Sequence, residues 1–186
     1  MSLLDALLTL IPLDQMPRTG WIQAGIPHPE SVAAHSLGCC EIVLALGPRV
    51  RPPLDVDRAV CLAAVHDLPE ALLSDLPRSA SRLLPEGAKA TAEARAAEDL
   101  LGRLSPEALE RHGEYQAQAT REARLAKVCD GLHLGLRTLA YVRAGQRGLG
   151  EFAETLGELD AAEFEPCEAL KQELLAALAA ELEREA

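Results

Sequence analysis

The stretch Ala63-Ala64-Val65-His66-Asp67-Leu68-Pro69-Glu70 sets an imidazole and two carboxyl groups into an otherwise apolar run. Taking such groups out of water costs several kcal/mol unless they are paired, hydrogen-bonded or bound to a cation. A helix advances about 100° per residue, so His66, Asp67 and Glu70 fall within an arc of about 100° and can address one point. The chain must therefore fold so that something answers these groups. A core histidine bonded to its neighbouring aspartate at a helix end meets the requirement, and so does a metal ion. The pair alone does not choose between them.

Composition narrows the architecture. Of 186 residues, 48% are hydrophobic but only 3% are aromatic. Ala and Leu dominate, the strongest helix formers, and the β-branched and aromatic residues that fill sheets are few. An all-α fold is expected, with residues 1–186 forming a single domain large enough to bury a core. The net charge of −11 disfavours nucleic-acid backbones and anionic membranes as partners. An anionic substrate requires a metal and a local Arg to reverse the field in one pocket. The five Cys form no Cys-x-x-Cys; Cys39, Cys40, Cys61 and Cys129 sit in apolar helical segments and read as small buried hydrophobes in a reducing, cytoplasmic setting. No basic region precedes the N-terminal apolar stretch as in a signal peptide, and no uncharged run reaches the ~18 residues of a membrane span.

Along the chain, a short helix is expected over Leu3 to Leu10, capped by Ser2 with Asp5 three residues on. Ile11 to Pro29, dense in Pro and Gly, reads as a long loop without helical period, carrying Arg18-Thr19-Gly20-Trp21. Ser31 caps a second long helix whose stripe is Val32, Leu37, Ile42, Val43 and Leu46, with His35 inside that stripe. Asp55 or Asp57 caps the next, with Val60, Cys61, Ala64, Val65 and Leu68 as its buried face, and Pro69 kinks or ends it. Ser74 to Gly87 reads as a second loop. Helices follow over Glu86 to Leu101 and from Pro106, with His112 at the solvent end of the latter. A long helix from Glu114 to Arg143 embeds Asp130 beside its apolar stripe, with His133 one turn later either in contact with Asp130 or on an exposed face. Two acidic amphipathic helices, Glu151 to Glu163 and Pro166 to Glu185, suit bundle packing or a dimer contact.

Three helices thus each carry a metal-type ligand in apolar surroundings: His35, the His66-Asp67 pair, and Asp130. Two imidazoles and two carboxylates suit one divalent ion of the Mn, Fe, Co, Ni or Zn group, and facing helices of a bundle core are where such sites are built. The order His…His-Asp…Asp resembles the HD-domain metal-dependent phosphohydrolase superfamily. The stretches Arg18-Thr19-Gly20-Trp21, Pro29-Glu30-Ser31-Val32-Ala33-Ala34-His35-Ser36, His66-Asp67-Leu68-Pro69-Glu70 and Ser74-Asp75-Leu76-Pro77 resemble its YfbR-like 5′-deoxynucleotidase branch. That resemblance implies an HD-type bundle, often a homodimer, in which His35, His66, Asp67 and Asp130 hold one divalent metal. It implies that Asp67 and Glu70 serve the chemistry, Glu70 by activating water or protonating the leaving oxygen. Arg18 would grip the phosphate of a nucleotide, Trp21 would border the sugar and Asp75 would accept from a sugar hydroxyl. Two positions depart from the pattern: Ala34 stands where Glu usually precedes the His, and Ser74 where Gly usually precedes the Asp.

Other readings compete. Hydrolases of guanosine tetraphosphate resemble a His-Asp-x-x-Glu-Asp pattern, but Ala71 replaces the last Asp. The Gly-Tyr-Pro motif of cyclic-dinucleotide phosphodiesterases is missing from the sequence. A metal or nucleotide sensor without catalysis, or a plain helical interaction module, completes the alternatives.

Overall fold

The computed structural model describes residues 2–183. Among them lie α1 (Leu3–Leu10), α2 (Thr19–Gln23), α3 (Val32–Leu46), α4 (Val56–Val65), α5 (Glu70–Leu73) and α6 (Arg78–Ser81). These are followed by α7 (Ala88–Leu104), α8 (Pro106–Ala117), α9 (Arg121–Arg143), α10 (Gly150–Gly157) and α11 (Glu165–Glu183), and no strand is formed among the described residues. The expected all-α fold is what the chain adopts.

Local chemistry sets the helix starts. The Ser2 hydroxyl accepts from Asp5 N while the Asp5 carboxylate accepts from Ser2 N, a reciprocal cap. Ser31 accepts from Ala34 N, Asp55 from Arg58 N, Ser105 from Ala108 N and Thr120 from Ala123 N. Each such cap is worth about 0.5–2 kcal/mol. Pro69 ends α4 as its missing N–H requires, and the chain turns through 66–69 before α5.

The bundle is built round α9. Its Leu125, Val128, Cys129, Leu132, Leu139 and Val142 are buried against α3, α4, α10 and α11. Burying each such Leu or Val stabilises the fold by about 1.5–3 kcal/mol. Helix α10 approaches so closely that a Cβ at Gly135 would lie 2.8 Å from Leu156 Cδ2. A smaller cluster of Ala6, Ala97, Leu100 and Leu101 joins α1 to α7, with Leu68 packed against it.

Several expectations are corrected here. Ile11 to Pro29 is no irregular loop, since a 3-10 turn covers Ile11–Asp14 and α2 covers Thr19–Gln23. On α3, Leu37 is 61% exposed. On α4, Ala59, Leu62 and Ala63 face inward whereas Cys61 and Ala64 are exposed, so the buried stripe is rotated by about one residue. The expected helix from Glu114 is broken at Gln118, which takes φ 52 and closes α8. His112 is buried at 3% exposure rather than solvated. The expected helix to Glu163 ends at Gly157.

Glu114 ties three of these elements together. It accepts from Arg58 Nε (2.9 Å) and Nη2 (2.8 Å) on α4, from Arg111 Nη1 (3.1 Å), and from the Thr120 cap hydroxyl (2.6 Å). Burial draws this carboxyl upward, but Arg58, Thr120 and Arg111 hold it below the ordinary glutamate value. Its contribution is therefore present above the unfolded pKa and is lost as pH falls through the lower folded value. We expect Glu114→Gln to cost about 1.5–3 kcal/mol at pH 7. In urea titrations, the gap between the proteins should narrow below pH ~4; a gap that stays constant with pH would contradict this.

Candidate active site

The segment before α3 folds back on itself. Pro17 and Ser31 form an antiparallel bridge, Val32 N donates to Met16 O (2.8 Å) and Arg18 N to Glu30 O (3.0 Å). The Glu30 carboxylate, almost wholly buried, accepts from Trp21 Nε1 (2.9 Å) and Arg137 Nε (3.0 Å). This latch fixes Arg18 at the start of α2, aimed at the end of α4. Trp21, readable from the sequence as a cover over the core and from the resemblance as a neighbour of the sugar, is 2% exposed and is stacked on Phe152 at 4.2 Å, as a core cover would be. In this position it holds the latch shut through its bond to Glu30.

The residues separated in sequence do converge. His35 Nε2 lies 3.0 Å from Asp130 Oδ1 and 3.8 Å from Asp67 Oδ2, and His66 Nε2 lies 3.2 Å from Asp67 Oδ2. The turn after α4 also orients His66. Its Nδ1 donates to Ala63 O at 2.7 Å, so the neutral ring presents a lone pair at Nε2. That Nε2 is buried and has no hydrogen-bond partner. Donor atoms of His35, Cys39, His66 and Asp130 all lie within 4.8 Å of one another. A buried imidazole lone pair aimed into a cluster of imidazole, carboxylate and sulfur atoms fits a divalent cation, and little else that would meet its desolvation cost.

The surroundings hold these donors in place. Tyr115 Oη (3.2 Å) and Lys127 Nζ (2.9 Å) donate to Asp130 Oδ2. Burial opposes the Asp130 charge, but Lys127 and His35 keep this carboxylate well below its ordinary range. Burial likewise opposes ionisation of Asp67, and His66, Arg18 and His35 outweigh it. Nδ1 of His35 lies 3.0 Å from Nδ1 of His133, one donating and the other accepting. His133, for which an exposed face was one expectation, is instead 7% exposed, fitted against Gly38, where a Cβ would fall 2.0 Å from its Nε2. Burial, His35 and Arg137 push His133 down to about 3, so it is neutral.

Arg18 faces the acidic side of the centre. Its Nη1 lies 2.8 Å from Asp67 Oδ2, 3.4 Å from Asp75 Oδ1 and 3.9 Å from Glu70 Oε1. Glu70 Oε2 is buried without a partner. Burial, aided by the Asp67 charge, pushes Glu70 up to about 9, so it carries a proton at neutral pH. Asp75 accepts from Thr19 N, and Thr19 Oγ1 donates to Asp75 O (2.7 Å), which pins the loop after α5 to α2. A pocket of about 100 Å³ lies beside Glu70, Leu73, Ser74 and Leu76, with Lys89 and Glu93 across it on α7. A larger cleft of about 390 Å³, lined by Ile42, His133, Arg137 and Leu170 among others, shares none of the four clustered donors.

Cys39, Lys127 and Tyr115 carried no functional sign in the sequence reading. Two signals were available: Cys39 is four residues after His35, and Lys127 three before Asp130, spacings that share a helix face.

Fold and centre define a helical protein that gathers histidine and carboxylate groups able to hold a divalent ion beside the Arg18 guanidinium. A family model described as HD domain matches residues 12–165, and the chain belongs to that family. A Xenopus laevis protein named 5′-deoxynucleotidase HDDC2 is 30% identical over 151 residues, covering 78% of this chain and 72% of that protein. One from Schizosaccharomyces pombe, named 5′-deoxynucleotidase hdd1, is 27% identical over 162 residues, 82% of this chain and 79% of its own. The crystal structure of the PH0347 protein from Pyrococcus horikoshii OT3 superposes with a TM-score of 0.82 at 31% identity, covering 94% of this chain and 99% of that one.

The departure at Ser74 has a visible backbone consequence. Ser74 takes φ 63 and ψ 163, a region essentially reserved for Gly. The strain is of order 1–3 kcal/mol, partly offset in a Gly variant by the larger entropy of its unfolded chain. Ser74→Gly should therefore stabilise the protein by about 1 kcal/mol, raising Tm by ~2–4 °C in calorimetry. A lower Tm would show that the serine is not strained.

Proposed function

We propose that this protein is a divalent-metal-dependent phosphohydrolase that cleaves nucleoside 5′-monophosphates, deoxynucleotides foremost, into nucleoside and phosphate. One observation carries the reading: the metal-type donors, a guanidinium and a buried carboxyl of raised pKa meet in one site, with Arg18 within 3.9 Å of both Asp67 and Glu70. The names of the Xenopus and yeast relatives supply the substrate class.

Charge counting explains why a cation is needed. With Glu70 protonated, the carboxylates of Asp67, Asp75 and Asp130 still outnumber the cations Arg18 and Lys127. A phosphate dianion meets a net repulsive field there unless a divalent ion reverses it. His35, His66, Asp67 and Asp130 would hold the ion; once bound, it supplies Lewis-acid polarisation of a phosphoryl oxygen and a more acidic water. The remaining work falls to the chain. Arg18 presents a planar fork to two phosphate oxygens and screens them from Asp75. The protonated Glu70 donates to the ester oxygen as it departs, so that the nucleoside leaves as an alcohol rather than an alkoxide. Asp75, fixed by Thr19, accepts from a sugar hydroxyl, and the nucleoside lies toward the pocket beside Ser74.

Further expectations belong to this reading. Leu3, Leu4, Leu7, Leu8 and Ile11 expose an apolar strip on and just beyond α1, which supports a homodimer. The free cysteines support a reducing, cytoplasmic location. No helix among the described residues is long and apolar enough to cross a membrane.

The test is phosphate release from a panel of deoxy and ribo 5′-monophosphates with Mn²⁺, Co²⁺ or Zn²⁺. Asp67→Asn should lose both metal and turnover. Glu70→Gln should retain metal while kcat falls by roughly 100- to 10,000-fold. Arg18→Ala should act chiefly through KM. Wild-type protein that binds metal yet releases phosphate from no nucleotide would overturn the proposal.

A further inference from the structure

We propose that Cys39 is an additional donor to the cation centre and gives it thiolate character, an inference that rests on reading the centre as a divalent-cation site. Cys39 is fully buried on α3, one helical turn after His35, with its Sγ 3.5 Å from His35 Nε2. Two residues four apart on a helix project to the same side, a spacing that lets one helix supply two ligands to one ion. Its sulfur belongs to the mutually close group, within 4.8 Å of donor atoms of His35, His66 and Asp130. The buried, unpartnered Nε2 of His66 faces that same space from α4. Asp67 borders the same space, its Oδ2 3.2 Å from His66 Nε2 and shared with Arg18 at 2.8 Å.

The other cysteines do not share this position. Cys129, though next to Asp130, is a free thiol hydrogen-bonded to the Cys167 thiol in the core, Cys61 is exposed, and Cys40 turns its Sγ to Val60 O. The consequence is selectivity. A site of imidazole and carboxylate accepts hard and borderline ions alike, whereas adding one sulfur favours Zn²⁺, Co²⁺ and Fe²⁺ over Mn²⁺ and Mg²⁺. As the sulfur–cation bond forms, the S–H bond breaks and its proton passes to solvent, one per ion bound.

The experiment is a Co²⁺ titration of the full-length, chelator-stripped protein, followed by absorption. One equivalent should bring visible d–d bands together with an intense near-ultraviolet sulfur-to-cobalt charge-transfer band. In Cys39→Ser the d–d bands should remain, the charge-transfer band should vanish, and Zn²⁺ affinity relative to Mn²⁺ should fall at least about tenfold. A wild-type site that binds Co²⁺ without that band, or a band that survives Cys39→Ser, overturns the role of Cys39 and leaves the hydrolase reading standing. Failure to bind Co²⁺ or Zn²⁺ at all overturns both. Should the variant not fold, X-ray absorption on the wild-type Zn²⁺ form decides: a sulfur scatterer at about 2.3 Å is expected, and a shell of only nitrogen and oxygen contradicts it.

Discussion

The structure depends on the cost of turning imidazoles and carboxylates inward. His35, His66, Asp67 and Asp130 come from α3, the end of α4 and α9, and each has been taken largely out of water. The fold meets part of that cost with its own groups. Ala63 O engages one face of His66, His133 engages Nδ1 of His35, and Lys127 and Tyr115 engage Asp130. Each of these contacts occupies the side of a donor turned away from the centre. What is left turned inward is His35 Nε2 against Asp130 Oδ1 at 3.0 Å and the unpartnered Nε2 of His66, a donor set suited to a cation.

A second constraint is the placement of Arg18. A guanidinium so close to Asp67, Asp75 and Glu70 would find its partner anywhere on a flexible loop, so its usefulness depends on rigidity. The fold provides it through backbone pairing around Pro17 and Ser31 and through the Trp21–Glu30–Arg137 chain, which fastens α2 to α9. Trp21 thereby serves the site from within the core. The Glu30 carboxylate answers three needs at once, closing the latch, capping the indole N–H and neutralising Arg137. This leaves little for a Glu at position 34 to do, and Ala34 is exposed.

Much of this was legible in the sequence because it rests on local chemistry. Caps at Ser2, Ser31 and Asp55 and the break at Pro69 follow from hydrogen bonds available within a few residues. The convergence of His35, His66, Asp67 and Asp130 was legible because polar side chains in apolar stretches demand a reason. What escaped depends on helix phase and on neighbours distant in sequence. Ala-rich α4 has almost no polar face to set its rotation, so Cys61 was read as buried and Ala59 was not. His133 owes its burial to the absence of a side chain at Gly38, on another helix. Cys39 passed as a small hydrophobe because a buried thiol looks the same whether it faces a leucine or an imidazole. The loop from Ile11 misled through its prolines, which sit where short helices tolerate them and where the bridge at Pro17 needs no N–H.

The central claim is that one ion joins side chains from separate helices. The direct measurement is anomalous diffraction from crystals of the protein grown with Mn²⁺ or Co²⁺. The account predicts a single strong peak within about 2.0–2.3 Å of His35 Nε2, His66 Nε2 and an Asp130 oxygen. Crystals saturated with the ion but showing no peak between those imidazoles, or a peak held only by surface carboxylates, would contradict it.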